Sequence, residues 1–342
     1  MDSSSPATFR LSGSASPTGS TRPTWTPTWR TATPEPSELL RYRTVSFLSD
    51  YGLTDEFVGV VKSVIWSVAP EVRILDITHE VARYDVRGGG LTLARAAQYL
   101  NPGVVVAVVD PTVGTDRRPV AVEVGGGSSV LVGPDNGLLA PAVSLVGGAT
   151  RAVELRNEQY RLSQQANTFD GRDVFGPAAG HLAAGVPLTE LGPLIDPASL
   201  VPGIVANAAV HPDRVEAEVL WVDRFGNAQL NVGPEDLANL GDSVALRTAE
   251  GTRTAHRAET YAAVAAGETG LVVDSYGLVS LAQDRRNCAA ELSLEAGSAV
   301  TLSRPDTAED PAAAPSADSA AGAHGGGGTV TVRLAGRKVG GK

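Results

Sequence analysis

The sequence predicts an α/β domain built on a mostly parallel sheet, followed by an all-β, barrel-like domain. The chain has 342 residues, which is long for one ordinary domain and sufficient for two. Its first half alternates short apolar runs with helical patterns, the order that produces a parallel sheet covered by helices on both faces. Its second half holds short apolar runs separated by turns, which is typical of an all-β domain.

The α/β part begins with an apolar run at 44–48 that predicts a strand. Apolar residues then recur at helical spacing over 55–69, with Thr54 as the N-cap and Pro70 ending the helix. The uninterrupted apolar run at 104–109 is typical of a strand buried on both faces. The remaining predicted elements are strands at 72–77, 120–124 and 129–132 and helices at 86–100, 138–145 and 174–184.

The boundaries of the two domains follow from changes in composition. We place the α/β domain at 43–195, a linker at 196–212 and the barrel domain at 213–305. The flanking segments 1–42 and 306–342 are rich in Ser, Thr, Pro, Ala and Gly, and we expect both to be disordered. Strands of the barrel domain are expected at 215–232, 243–247, 252–259, 270–274 and 299–303.

Composition also narrows the classes of partner. Acidic residues outnumber basic ones by 38 to 28, giving a net charge of −10, which disfavours nucleic acid and anionic membranes as partners. The single cysteine excludes an internal disulfide, and the five histidines show no metal-ligand spacing, so we expect no metal. The sequence shows no secretory signal pattern and no apolar run near the roughly 20 residues of a membrane helix, so we expect a cytoplasmic protein.

Two acidic residues follow predicted strands of the α/β domain. Asp50 closely follows the first strand, and Asp110 follows the buried run directly. The carboxyl ends of parallel strands meet at one edge of a sheet, where ligands of α/β proteins bind. A carboxylate at that edge can accept the hydroxyl groups of a ribose or orient a water molecule. Turns also favour Asp, so either residue alone is equally consistent with a structural role.

Basic and acidic residues further along the chain extend this candidate site. Arg117 lies seven residues after Asp110 across a loop that contains Pro and Gly, and a folded loop would pair the two side chains. Such a pair stays ionised and can hold a water, but it could equally be a surface salt bridge worth under about 1 kcal/mol. Asp170 belongs to a dense charged segment in front of a predicted helix, where capping does not readily account for it.

Two polar turns interrupt the strands of the second domain. Asn227, in the segment 223–227, carries an amide that matches the donors and acceptors of an adenine edge, although Gly226 and Asn227 could also form an ordinary hairpin turn. Ser275 belongs to the second turn, 274–277. The chain lacks a phosphate-binding loop, a dinucleotide-binding glycine motif and a nucleophile elbow. The usual signals of nucleotide triphosphatases, nicotinamide dehydrogenases and serine hydrolases are therefore missing.

Seven segments taken together resemble the S-adenosyl-L-methionine (SAM) hydroxide adenosyltransferases, also called SAM hydrolases, which are related to the fluorinases and chlorinases. They occur in the family's order across residues 44–303. The segments are FLSDYG at 47–52, DITHE at 76–80, DPTVGTDRR at 110–118, GPDNGLL at 133–139, TFDGRDVFGP at 168–177, FGN at 225–227 and DSYG at 274–277.

The resemblance implies both an architecture and a reaction. It implies an N-terminal α/β domain that binds SAM, a C-terminal β-barrel, and a homotrimer with its sites between subunits. Water attacks C5′ of the ribose, L-methionine leaves and adenosine forms, with SAM as the substrate and without a cofactor or metal. A sulfonium is already a good leaving group, so the enzyme has to desolvate, align and activate the water.

The family pattern also implies roles for individual residues in binding. Asp50 would hold the ribose hydroxyls, and Tyr84 would stack near the sugar or the base. Asp223 and Ser275 would hold the ammonium and carboxylate of the methionine part. Asn227 would contact the adenine.

The residues around the attacking water match the family in two positions out of three. Asp110 and Arg117 match two members of an Asp–Arg–His group, whereas the histidine position is occupied by Asp170. Asp170 could pair with Arg117 or Arg172, or accept a hydrogen bond from the water. Two alternatives stay open: a chloride adenosyltransferase, which the negative charge of Asp110 disfavours, and a SAM- or adenosine-binding protein made inactive by Asp170.

Overall fold

Strands and helices alternate through the first half of the chain in the computed structural model, which describes residues 40–163, 167–203 and 206–305. A π-helical turn, Gly171–Phe175, leads directly into the last helix of this half. The strands are β1 (Thr44–Ser49), β2 (Arg73–Thr78), β3 (Val104–Val108), β4 (Pro119–Val124), β5 (Ser129–Pro134), β6 (Ala149–Glu154) and β7 (Leu194–Ile195). The helices are α1 (Phe57–Val68), α2 (Val86–Ala97), α3 (Ala140–Leu145) and α4 (Gly176–Ala183).

These seven strands form one sheet in the order β2-β1-β3-β5-β4-β6-β7. The first four run parallel to one another. At the other end, β4, β6 and β7 each run antiparallel to the preceding neighbour in this order, and a glycine-rich turn joins β4 and β5 as a hairpin. Five of the seven strands thus point in one direction, which confirms the predicted mostly parallel sheet.

Helices cover both faces of the sheet. One face, with Phe47 and Val106, packs under α1 and α4, whereas Leu48 and Ala107 face a second core beside α2 and α3. The strand residues are buried on both faces because each successive side chain enters the opposite core. The continuous apolar run of β3 therefore has the environment that the sequence predicted.

The start of α2 passes through three glycines and is nevertheless helical. The Asp85 side chain accepts a hydrogen bond from the Gly88 backbone N–H at 2.8 Å and so caps the helix. A Cβ on Gly90 would lie only 3.0 Å from the Leu138 carbonyl oxygen. Glycine at this position allows α2 to approach the chain just before α3. The helix begins at Val86 as predicted.

Some local predictions differ from the structure. Helix α1 begins at Phe57, and its N-cap is Glu56 without a side-chain cap bond, so the Thr54 cap is wrong. Strand β6 is not among the predicted strands because Arg151 and the glycines before it obscure the alternation of a strand, and β7 is only two residues long. In the predicted N-terminal tail, Tyr42 is buried and its hydroxyl donates to the Gly127 carbonyl at 2.9 Å. Residues 1–39 and 306–342 lie outside the described residues.

The second half of the chain forms a closed seven-stranded barrel and one further strand. The strands are β8 (Ala209–Val210), β9 (Arg214–Val222), β10 (Ala228–Leu230), β11 (Ser243–Thr248), β12 (Gly251–Ala258), β13 (Thr269–Val273), β14 (Val279–Ala282) and β15 (Ala299–Ser303), and a short helix, α5 (Cys288–Glu291), precedes β15. The order around the ring is β9-β10-β14-β13-β12-β11-β15, and β15 pairs back with β9, while β8 pairs with β9 from outside the ring. This arrangement confirms the predicted barrel, although the single strand expected at 215–232 is divided into β9 and β10, and β8 and β14 are not among the expected strands.

Helix α2 carries the contact between sheet and barrel. Leu91 packs with Leu220 and Leu278 of the barrel, and the Arg95 guanidinium lies 4.2 Å from the centre of the Trp221 ring. The predicted linker contains β8, and the domain boundaries drawn from composition stay a prediction. No helix among the described residues is long and apolar enough to cross a membrane. The cytoplasmic location also stays a prediction.

Candidate active site

A cavity of about 750 Å³ opens at the carboxyl ends of β1 and β3. Asp50 and Asp110 follow these neighbouring parallel strands and both line the cavity. Tyr84 and Asp170 line it as well, although they lie far apart in sequence. The topology of the sheet therefore brings together four of the residues singled out from the sequence.

Asp110 is held by a two-pronged ion pair. The Arg117 Nε–H donates to the two carboxylate oxygens of Asp110 at 3.1 and 2.9 Å, and Arg117 Nη2 also donates to Asp110 Oδ2. Thr112 Oγ1 donates to Asp110 Oδ1 at 3.1 Å. The Arg117 and Asp110 side chains are only 8% and 5% exposed, so this is not the surface salt bridge that the sequence left open.

The same guanidinium also binds Asp170. Arg117 Nη2 lies 2.5 Å from Asp170 Oδ2, across 53 residues of sequence. Arg172, the other partner considered for Asp170, binds Asp173 instead, with 2.6 Å between Arg172 Nε and Asp173 Oδ1. Arg117 therefore bridges two carboxylates at the wall of the cavity.

Electrostatics keep Arg117 protonated. Burial alone lowers the pKa of Arg117, but the hydrogen bonds and negative charges of Asp110 and Asp170 outweigh it and raise the pKa above its usual value. One permanent positive charge thus faces two carboxylates. The two carboxylates together carry more charge than the one guanidinium. They can accept hydrogen bonds from a water in the cavity.

Asp50 is oriented by the backbone of Tyr84. The Tyr84 N–H donates to Asp50 Oδ2 at 3.0 Å. Tyr84 has a φ of 66°, in the left-handed region that non-glycine residues rarely adopt. Its side chain is 71% exposed although it lines the cavity, so its ring is available to stack on a ligand. The backbone of Tyr84 therefore has a strained conformation at the point where its N–H orients the Asp50 carboxylate.

Sequence reasoning missed the aromatic wall of the cavity. The Tyr51 ring packs edge-on against Phe57 and Phe169, with centroid distances of 5.8 and 5.7 Å. Burial, followed by the charges of Asp50, Asp110 and Asp170, raises the pKa of Tyr51, so its hydroxyl stays protonated. The motif 47–52 contains this tyrosine, but the periodicity of a strand says nothing about the direction of a hydroxyl.

The barrel residues lie on separate turns. Asp223 Oδ1 accepts from the backbone N–H groups of Phe225 and Asn227, and Asp223 Oδ2 accepts from Asn227 Nδ2 at 2.8 Å. These bonds form the β9–β10 hairpin turn, the structural alternative weighed for Asn227. Ser275 is exposed in the turn between β13 and β14. Within the described part of one chain, the cavity is lined by α/β-domain residues, so the fold does not bring Asp223, Asn227 and Ser275 to it.

Comparison with known proteins relates this arrangement to a family with matching domains. The family profile of the SAM hydroxide adenosyltransferase N-terminal domain matches residues 45–192, and that of the C-terminal domain matches residues 217–301. These two ranges correspond to the sheet and to most of the barrel.

Individual relatives agree with this match. An (R)-S-adenosyl-L-methionine hydrolase of Salinispora tropica is 43% identical over 238 residues, covering 70% of this chain and 89% of the relative. A fluorinase of an Actinoplanes species is 29% identical over 294 residues, covering 76% of this chain and 97% of the relative. The crystal structure of an uncharacterized conserved protein from Thermotoga maritima superposes with a TM-score of 0.70 and 31% identity, over 76% of this chain and 100% of that one. The chain therefore belongs to the SAM hydroxide adenosyltransferase family.

Proposed function

We propose that the protein hydrolyses SAM to adenosine and L-methionine by attack of water at C5′ of the ribose. The observation that carries this proposal is the buried Arg117 guanidinium, which holds two carboxylates at the sheet edge where Asp50 also lies. Family membership and the name of the Salinispora tropica relative support the same substrate.

The chemistry needs alignment more than acid catalysis. The oxygen of water forms the new C5′–O bond while the C5′–S bond breaks and its electron pair stays on sulfur. The positive sulfonium becomes a neutral thioether, and one proton leaves the attacking water. Asp110 and Asp170, both bound to Arg117, accept the hydrogen bonds of that water, and one of the two carboxylates then accepts its proton.

The charge of the cavity suits a cationic substrate. SAM carries a sulfonium and an ammonium against one carboxylate, so its net charge is positive. Carboxylates dominate the cavity wall, and a halide ion would have to lose its hydration beside them. This balance favours hydrolysis over transfer of chloride. The acidic residues at the wall are Asp50, Asp55, Glu56, Asp110 and Asp170, beside the basic Arg83 and Arg172.

Substrate binding is divided between the two domains in this proposal. Asp50 accepts the ribose hydroxyls, and the Tyr84 ring stacks on the sugar or base. Asp223 and Ser275 hold the methionine part, and Asn227 holds the adenine. Because these three lie on barrel turns away from the cavity of their own chain, a second subunit has to supply them. We therefore include a homotrimer with sites between subunits in the proposal.

The decisive experiment is product analysis after incubation with SAM in ordinary and oxygen-18 water, with chelator and with added chloride. We expect adenosine that carries one oxygen-18 at its 5′-hydroxyl, equal amounts of methionine, and unchanged rates with chelator. A chlorinated nucleoside as the main product would instead indicate a chloride adenosyltransferase. Binding of SAM without any product would indicate a binding protein. Either result would refute the hydrolase.

A further inference from the structure

The cavity wall contains a phenol that the proposed mechanism does not use. Tyr51 follows Asp50 directly and lines the same cavity as Asp110 and Asp170. Its ring is fixed by edge-on packing against Phe57 and Phe169, with a third edge contact to Phe47 at 6.4 Å. A ring held on three sides leaves its hydroxyl oxygen little freedom of position.

The position of that hydroxyl is marked by Gly171. A Cβ on Gly171 would overlap the Tyr51 Oη, and its next contact would be Tyr51 Cζ at 3.1 Å. Gly171 is the residue directly after Asp170, so the phenol reaches the backbone beside that carboxylate. The absence of a side chain at this one position leaves room for the hydroxyl. The Tyr51 Oη therefore lies beside the Gly171 backbone, next in sequence to one of the carboxylates proposed to hold the water.

The hydroxyl also has the protonation state of a donor. Burial and the surrounding carboxylates keep the proton on Tyr51 at neutral pH. The carboxylate groups that hold Arg117 are acceptors of hydrogen bonds. Three donor groups already bind Asp110 through four hydrogen bonds, two on each carboxylate oxygen, and leave it little further acceptor capacity. They are the Thr112 hydroxyl, the Arg117 Nε–H, which both oxygens share, and Arg117 Nη2.

A water molecule poised for attack has four directions to satisfy. Its two hydrogens point to acceptors, one lone pair points to C5′, and the second lone pair needs a donor. Two carboxylates engage only the hydrogens and leave the second lone pair without a donor, so the water oxygen can still shift out of line with C5′. Building on the proposed hydrolysis, we infer that the Tyr51 hydroxyl donates to the attacking water and thereby aims its lone pair at C5′.

The variant Tyr51→Phe tests this inference because it removes the oxygen and keeps the packed ring. We expect kcat to fall about tenfold, the loss of roughly one hydrogen bond, while KM for SAM changes less than twofold. Tyr160→Phe is the matched control. The Tyr160 ring packs on His181, 4.9 Å between centroids, and does not line the cavity, so its kcat should equal that of the parent.

A double-mutant cycle separates this role from a general loss of packing. Gly171→Ala places a methyl group where the hydroxyl lies and should lower kcat in the parent by a similar factor. In the Tyr51→Phe background, Gly171→Ala should lower kcat much less, because the hydroxyl oxygen that the methyl group displaces is absent from this variant. Thermal unfolding of every variant shows whether the changes act on the site or on the fold.

The possible results distinguish a failure of the role of Tyr51 from a failure of the proposed hydrolysis. An unchanged kcat in Tyr51→Phe, a rise in KM alone, or equal costs of Gly171→Ala in both backgrounds would overturn the role of Tyr51 and leave the hydrolase intact. A parent protein that forms no adenosine would overturn both proposals, and that assay is run first.

Discussion

Asp110 is the residue on which the proposed water chemistry depends most. Asp110→Asn keeps the size of the side chain and removes its charge. We expect kcat to fall at least about 100-fold, because the carboxylate interacts most strongly with the water as its proton becomes acidic in the transition state. The affinity for SAM should change little, which calorimetry checks beside initial rates. Comparable losses in both would show that Asp110 acts in ground-state binding.

Asp170 distinguishes a recruited carboxylate from a weakened substitute for histidine. Arg117 already binds it at 2.5 Å, so Asp170→His would place an imidazole beside a guanidinium whose pKa is raised. The positive charge of Arg117 should keep the imidazole neutral, and Arg117 loses one of the two carboxylates that hold it in position. We therefore expect the variant to be slower at every pH between 6 and 9, as measured by turnover of SAM. A histidine variant that outpaces the parent would contradict the recruited arrangement.

For single residues, the sequence predicts which of them lie at the sheet edge better than it predicts which side chains bind one another. Asp50 and Asp110 could be placed because parallel strands end at one edge of a sheet. The bond between Arg117 and Asp170 spans 53 residues and depends on how the π-helical turn returns to the sheet, which no local pattern encodes. The Tyr51 hydroxyl was overlooked for the same reason, since its direction is set by three aromatic rings from different segments.

Glycines allow the helices to approach their neighbours closely. Two helical glycines, one exposed and one buried, can be compared directly by substitution with alanine. Gly59 is exposed in α1 with no atom within 4 Å of an added Cβ, whereas a Cβ on the buried Gly90 of α2 meets the Leu138 carbonyl at 3.0 Å. Gly59→Ala should raise the free energy of unfolding by about 0.5–1 kcal/mol through helix propensity. Gly90→Ala should lower it, because the backbone oxygen cannot move aside.

Chemical unfolding with urea measures both variants. Stabilisation by Gly90→Ala would show that α2 can shift away from Leu138 without loss, contrary to the packing argument.

The elements themselves are largely predictable, since apolar periodicity gives the helices and most strands of both halves. The antiparallel strands β6, β7, β8 and β14 are not, because partner strands supply what their short or interrupted sequences lack.

For the whole molecule, the arrangement of sites between subunits is the most direct prediction. Asp110→Asn impairs the sheet edge, and Asn227→Ala impairs the barrel turn. If each site combines the sheet of one subunit with the barrel of another, mixed assemblies of the two variants contain some sites with both halves intact. Random mixing should restore about a quarter of the parent activity.

Co-expression of the two variants followed by assay with SAM tests this restoration. Each variant alone serves as the control for residual activity, and light scattering gives the mass of the assembly. Activity no higher than the average of the separate variants would place each site within a single chain. A monomeric mass would exclude the homotrimer directly.

The single cysteine offers a measurement of how the barrel opens. Cys288 is fully buried at the start of α5, and the backbone N–H of the next residue donates to the Gly226 carbonyl in the β9–β10 turn at 2.9 Å. Burial, assisted by the charge of Glu291, raises the pKa of Cys288 to about 12. We expect thiol reagents to label native protein only at the rate at which this part of the barrel opens.

The same burial sets a dependence of stability on pH. In the unfolded chain the thiol ionises near its usual pKa of about 8.5, whereas the folded barrel keeps it neutral to about 12. Its contribution to stability is therefore complete below pH 8.5 and is lost as the pH rises towards 12, by about 1.4 kcal/mol per pH unit. The variant Cys288→Ala has no thiol and does not lose this stability as the pH rises. The free energy of unfolding of the parent should therefore fall towards that of the variant, or below it, between pH 7 and pH 10. A difference between parent and variant that stays constant over that range would mean that the folded thiol ionises as readily as the unfolded one. The α5 segment that binds the β9–β10 turn, which contains Asp223 and Asn227, would then be open to water.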